Sequence, residues 1–119
     1  MGDWALHVQC PWRITRPPTI LVGRGDCYYE ATSNEPYDWQ KAGESRFDRY
    51  AMSLNKEFEL SPPLVEAVEV DAVGGFSLRF SDYVFEVFPD ESSDGGSEHW
   101  RLFQPGDLES HFVFPEERD

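Results

Sequence analysis

The sequence predicts an α+β domain. Six to eight short, mainly antiparallel strands form a twisted sheet or partial barrel, and one helix, about residues 45–59, packs on it. Three observations carry that expectation. Apolar and polar residues alternate with period two in several short runs bounded by Gly, Pro, Asp and Ser clusters. One segment alone has the 3.6-residue period of an amphipathic helix. Nine Phe, five Tyr and four Trp in 119 residues give enough apolar bulk for one core, despite 28% charged residues. The length fits a single domain, residues 1–119.

The elements follow in chain order. In WALHVQCPWRI, residues 4–14, Trp4, Leu6, Val8, Cys10, Trp12 and Ile14 share one parity. Such alternation predicts a strand with one buried face. Pro11 cannot donate to a ladder, so the strand is expected to lie at an edge there, or to bulge. The pattern starts almost at residue 1, which points to an upstream segment missing from this chain or to a partner's strand in its place. Residues 19–22 and 26–30 read as strands around a Gly23-Arg24-Gly25 turn. Residues 31–44 carry turn formers and no period, a long loop that Tyr37 and Trp39 are expected to pin to the body. Phe47, Tyr50, Ala51, Leu54 and Phe58 then form one helical stripe. Ser45 caps its start and Pro62-Pro63 close it.

Val68 and Val70 alternate with Glu69 and Asp71, predicting a strand over about 64–72 that ends in a Gly74-Gly75 turn. If Ser81-Asp82 is a two-residue turn, Phe76, Leu78 and Phe80 oppose Val87, Phe85 and Tyr83, and all six share one face. Ser-Asp is a poor composition for such a turn, so a longer loop is the alternative. Residues 89–97 are an acidic loop, residues 98–103 and 111–114 are strands, and the charged end frays. A Trp-Arg pair occurs twice, at Trp12-Arg13 and Trp100-Arg101. Both Trp fall at core-facing strand positions. Both Arg point away, toward acids or over an exposed aromatic.

Ten basic against twenty-three acidic residues leave a net charge of −13. That field repels nucleic acid and anionic membranes, and steers basic protein partners inward. It also serves solubility. No apolar run approaches the ~20 residues that cross a bilayer, and the first residues lack a signal-peptide pattern. Cys10 and Cys27 therefore read as reduced thiols in a cytoplasm, with a disulfide between them as the lesser alternative.

No motif carries chemistry. His7 and Cys10 lie at odd separation on a strand and diverge, so neither a metal site nor any cofactor is expected. No nucleophile has an activating context, and no catalytic residue is assigned. Gly23-Arg24-Gly25 lacks a third glycine and a following helix, so it is no dinucleotide fingerprint. Arg24-Gly25-Asp26 reads as a chance tripeptide in a turn. His99 and His111, near Asp107 and Glu109, could line a cleft if a strand pair brings them together. Tyr28, Tyr29, Tyr37, Trp39 and Phe103 exceed what one small core needs. They are candidates for an interaction surface, or for packing of the long loop.

WALHVQCPWRI, GRGDCYYE, RFDRYAMSLN, VGGFSLRFS and EHWRLFQPGDLESHFVF together resemble a family of small, uncharacterised bacterial proteins, over nearly the whole chain. Its members share the Trp-Arg strand, the Phe-Asp helix and the His-Trp-Arg-Leu strand, and often carry a further stretch before the first Trp. The resemblance implies bacterial origin and a cytoplasmic address, and it supplies no catalytic residues.

Three functions stand on these readings. The first is a non-enzymatic, immunity-like binding module for a basic protein partner. The second is a small enzyme or ligand-binding domain with a His/carboxylate cleft. The third is a scaffold domain that completes its sheet with a second copy across the Pro11 edge, a homodimer.

Overall fold

The computed structural model describes residues 4–40, 43–106 and 111–116. Among these residues there are eight strands in two sheets and one α-helix. The strands are β1 (Ala5–Val8), β2 (Trp12–Arg16), β3 (Thr19–Gly23), β4 (Ala67–Val70), β5 (Phe76–Phe80), β6 (Tyr83–Val87), β7 (Trp100–Phe103) and β8 (His111–Phe114). The helix α1 spans Arg46–Leu60. One sheet has the order β3-β2-β6-β5-β4 and the other β1-β7-β8, and every ladder is antiparallel. The α+β expectation is met, as two open sheets rather than a closed barrel.

The opening alternation is divided between the two sheets. Gln9 N donates to His99 O (2.8 Å), which extends the β1–β7 ladder, whereas Pro11 O accepts from Phe88 N (2.9 Å), which begins the β2–β6 ladder. The chain changes neighbours at Cys10, which is buried. Proline explains the switch. Without an N–H it cannot continue one ladder, but its carbonyl can open another. Pro11 therefore lies on no open edge, because β2 has β3 on one side and β6 on the other. The expected single strand over 4–14, and a second copy joining across Pro11, are both corrected on this ground. Leu6, Cys10, Trp12 and Ile14 still point inward, but Trp4 is half in solvent against Phe112.

The β5–β6 hairpin forms in the expected register, with Phe76 opposite Val87, Leu78 opposite Phe85 and Phe80 opposite Tyr83. The turn has two residues, and Ser81 adopts φ 53° to close it. Register then extends two apolar rows across the five-stranded sheet. One runs Trp12, Val87, Phe76, Val70, and the other Val22, Ile14, Phe85, Leu78, Val68.

Helix α1 covers the β3–β2–β6 part of this face. Ser45 accepts from Asp48 N (3.1 Å) while Asp48 accepts from Ser45 N (3.0 Å), a capping box that fixes the start. Leu54 is buried against Val22 and Tyr83. Phe47 meets Trp12 edge-on at 5.6 Å, and Phe58 meets Tyr83 at 5.3 Å. Residues 24–28 form a 3-10 turn where a strand over 26–30 was expected. Asp26 supplies the reason: it accepts from Gly23 N (2.8 Å) and pairs with Arg46 (3.6 Å), folding the chain back onto α1. Only Tyr29 and Glu30 are extended, each in a single bridge.

The predicted strand over 64–72 shrinks to β4, and all four of its residues are exposed. The radius of gyration, 15.9 Å, exceeds the roughly 13.5 Å of a compact chain this long. The second sheet stands against the far end of the first instead of closing over it.

Candidate functional site

The space left between the two sheets is a concave feature with an almost wholly apolar lining. One wall consists of Val68 and Val70 of β4 with Phe76 and Leu78 of β5. The other is Leu6, Trp100, Leu102 and Phe114 of the three-stranded sheet, and the 71–75 turn closes one end. The cavity measures about 540 Å³, within the range of ligand pockets.

Local chemistry sets this geometry. Trp100 donates from Nε1 to Gly74 O (2.8 Å), stacks on Phe114 at 5.9 Å and meets Phe76 edge-on at 5.4 Å. This indole joins the sheets at one end and holds them apart above it. Gly74 has φ 88°, which favours glycine. A Cβ there would lie 2.2 Å from Phe114 Cε1, so the close approach also demands it. Asp71 Oδ1 accepts from Val73 N and Gly75 N, each at 2.8 Å. Asp71 is the one ionisable group among the lining residues, and it is occupied in shaping its own turn. The lining therefore offers contact to apolar groups and no proton-transfer or nucleophilic chemistry.

The two histidines do not converge. His111 sits opposite Phe103, at the far end of the β7–β8 ladder from His99, about 13 Å along the strand. It stacks on Phe103 at 5.2 Å, with Nδ1 2.8 Å from Arg101 Nη1. His99 is 2% exposed beside Phe114, and among the described residues neither ring nitrogen has a hydrogen-bond partner. Asp107 and Glu109, expected beside the histidines, lie outside the described residues.

Of the five aromatics expected at an interaction surface, Tyr28, Tyr29 and Tyr37 lie together in one loop region, and Phe103 lies apart from them. Tyr29 lies under the Arg46 guanidinium at 4.7 Å. Tyr37 ties the loop down by donating from its backbone N to Tyr28 O (2.7 Å). Trp39 pins nothing, being 78% exposed, and Tyr28 is also exposed. Phe103 belongs to the other sheet, between His7 and His111. Asp26 of the Arg-Gly-Asp tripeptide is engaged within its own turn and by Arg46.

The Trp-Arg pairs behave as strand chemistry. Arg13 pairs with Glu86 at 3.0 Å and lies over Phe88, while Arg101 pairs with Glu98 at 2.7 Å. Cys10 and Cys27 are free thiols. Burial pushes both above the usual thiol range, so neither is poised as a thiolate. Among the described residues no group of three or more His, Cys, Asp or Glu could hold a metal ion, and no helix is long and apolar enough to cross a membrane.

The cleft residues were legible as apolar strand positions but not as a site. Val68 and Val70 read as one half of a core, and nothing in their spacing says that the other half is absent. The one available signal is the excess of apolar residues before them, with Leu60 off the helical stripe and Val65 off the strand parity. No family model matches the chain, nor does any curated protein or solved structure.

Proposed function

We propose that the protein is a bacterial, cytoplasmic, non-enzymatic binding module, immunity-like in kind. Its inter-sheet cleft takes apolar side chains from a basic protein partner. The observation that carries this reading is the cleft itself, an open apolar cavity of about 540 Å³ without a free ionisable group. Charge supplies the sign of the partner. The chain carries −13 overall, and β4 with its flanking residues carries Glu66, Glu69 and Asp71 and no base. Acidic surroundings steer a basic partner, and apolar walls supply the holding energy.

The test is fluorescence anisotropy with a labelled eight-residue peptide of alternating Val and Lys. Binding at micromolar concentration is expected, weakening as NaCl rises from about 0.05 to 0.5 M. Val70→Asp adds an acid to the wall, so a purely electrostatic association would tighten. Loss of at least tenfold in affinity supports the cleft. Absence of peptide binding, or equal or tighter binding by the variant, overturns the reading.

A further inference from the structure

We infer that the partner enters as an extended strand that adds antiparallel to the open edge of β4, its side chains alternating apolar and basic. This rests on the binding reading above and specifies how the cleft is occupied.

The sheet order ends at β4, so among the described residues one side of that strand has no neighbour. The bond from Asp71 N to Gly75 O (2.9 Å) sets the phase of the β4–β5 ladder. With Glu69 opposite Ser77 and Ala67 opposite Arg79, the backbone groups of Ala67, Glu69 and Asp71 face β5. Those of Val68 and Val70 face outward, available to an added strand.

Edge strands are ordinarily protected by Lys, Pro, bulges or a covering element. Within Ala67–Val70, among the described residues, β4 has no Lys, Pro or covering element, and its one charged side chain is Glu69. The other terminal strands, β1, β3 and β8, each keep residues at least half-buried, whereas β4 is exposed throughout. An added strand would extend both sheet faces. On the cleft side its apolar residues would continue the rows ending at Val68 and Val70. On the reverse side it would run beside Glu69, whose cross-strand neighbour is the uncharged Ser77. Apolar residues on one parity and Lys or Arg on the other satisfy both faces. A second copy is the poorer occupant, since it brings another −13 and its own Glu66, Glu69 and Asp71 to the same edge.

The experiment uses the Val/Lys peptide in three forms: unmodified, with every Val amide N-methylated, and with every Lys amide N-methylated. In antiparallel addition the residues bonded to Val68 and Val70 share their face and are therefore the valines. Methylating Val amides should weaken binding at least thirtyfold, and methylating Lys amides less than threefold. In parallel, amide hydrogen exchange at Val68 and Val70 should slow at least tenfold when unmodified peptide saturates the protein. If the unmodified peptide fails to bind, the binding reading itself falls. If it binds, Val70→Asp weakens it, and exchange at Val68 and Val70 is unchanged, strand addition alone is overturned. Protection of those two amides that rises with protein concentration in the absence of peptide assigns the edge to a second copy, and likewise overturns the inference.

Discussion

Val87 and Val70 lie in the same cross-strand row of one sheet, two strands apart, yet Val87 is 1% exposed and Val70 is 76% exposed. Both are valines on alternating strands and both point to the same face. What differs is the layer above them. α1 lies over β3, β2 and β6 and Trp100 closes on Phe76 beside Val87, whereas β4 faces the second sheet only across the open cleft. Burial of a strand residue is therefore a property of the second layer, and alternation marks only the side on which a layer is needed. The covered half holds the fold together, and the open half keeps an apolar surface in contact with solvent.

The largest expected effect tests that division. Leu54→Ala, beneath the helix, should cost about 3 kcal/mol in urea unfolding, because its site is enclosed by Val22 and Tyr83. Val68→Thr, in the open half, should change stability by under about 0.5 kcal/mol. Equal costs for the two would show that β4 is covered in solution and would break the comparison.

The joint between the halves should give the next effect. Gly74→Ala combines a positive φ with a Cβ driven into the Phe114 ring, and should destabilise by about 2 kcal/mol. Because Gly74 O also receives the Trp100 indole, tryptophan fluorescence should shift red before the main unfolding transition. A single transition with unshifted fluorescence would mean that the two sheets do not depend on this contact.

Much of the fold was legible because its causes are local. The β5–β6 pairing follows from alternation and a two-residue turn, and α1 from a five-residue stripe and Ser45. The rest depends on groups distant in sequence. Trp4 to Ile14 keep one parity through Cys10, so the change from β7 to β6 leaves no mark except Pro11, which reads equally well as an edge or a bulge. Residues 24–28 coil because Asp26 meets Arg46, twenty positions away. His99 and His111 looked like partners because two strands carry them, but register sets them at opposite ends of the ladder. The cleft was hidden for the same reason: Val68 and Val70 have the pattern of buried residues, and only the extent of α1 leaves them open.

The smallest effect concerns a polar seam inside the covered half. The Tyr83 hydroxyl donates to Glu57 of α1, and Arg16 Nη1 donates to the same hydroxyl at 3.4 Å. The hydrogen bond to Glu57 raises the phenol above its ordinary value of 10.0, and burial adds to this. A group whose folded value is raised contributes stability that is fully present below the unfolded value and is lost as pH rises through the folded one. Tyr83→Phe should therefore cost about 1 kcal/mol at pH 8, where the bond is intact. The gap between the two proteins should narrow as pH climbs above about 10, since the native protein gives up the contribution that the variant never had. Paired urea titrations at pH 8 and pH 11 read this directly, and the remaining tyrosines cancel in the difference. Glu57→Gln should retain part of the stability at pH 8, because the amide oxygen still accepts, but should reduce the alkaline dependence by removing the carboxylate that holds the phenol protonated. A gap that stays constant with pH would mean that the hydroxyl serves only to fill space beneath α1. The covered half would then be held by apolar contact alone, and the contrast with the open half would rest entirely on the helix.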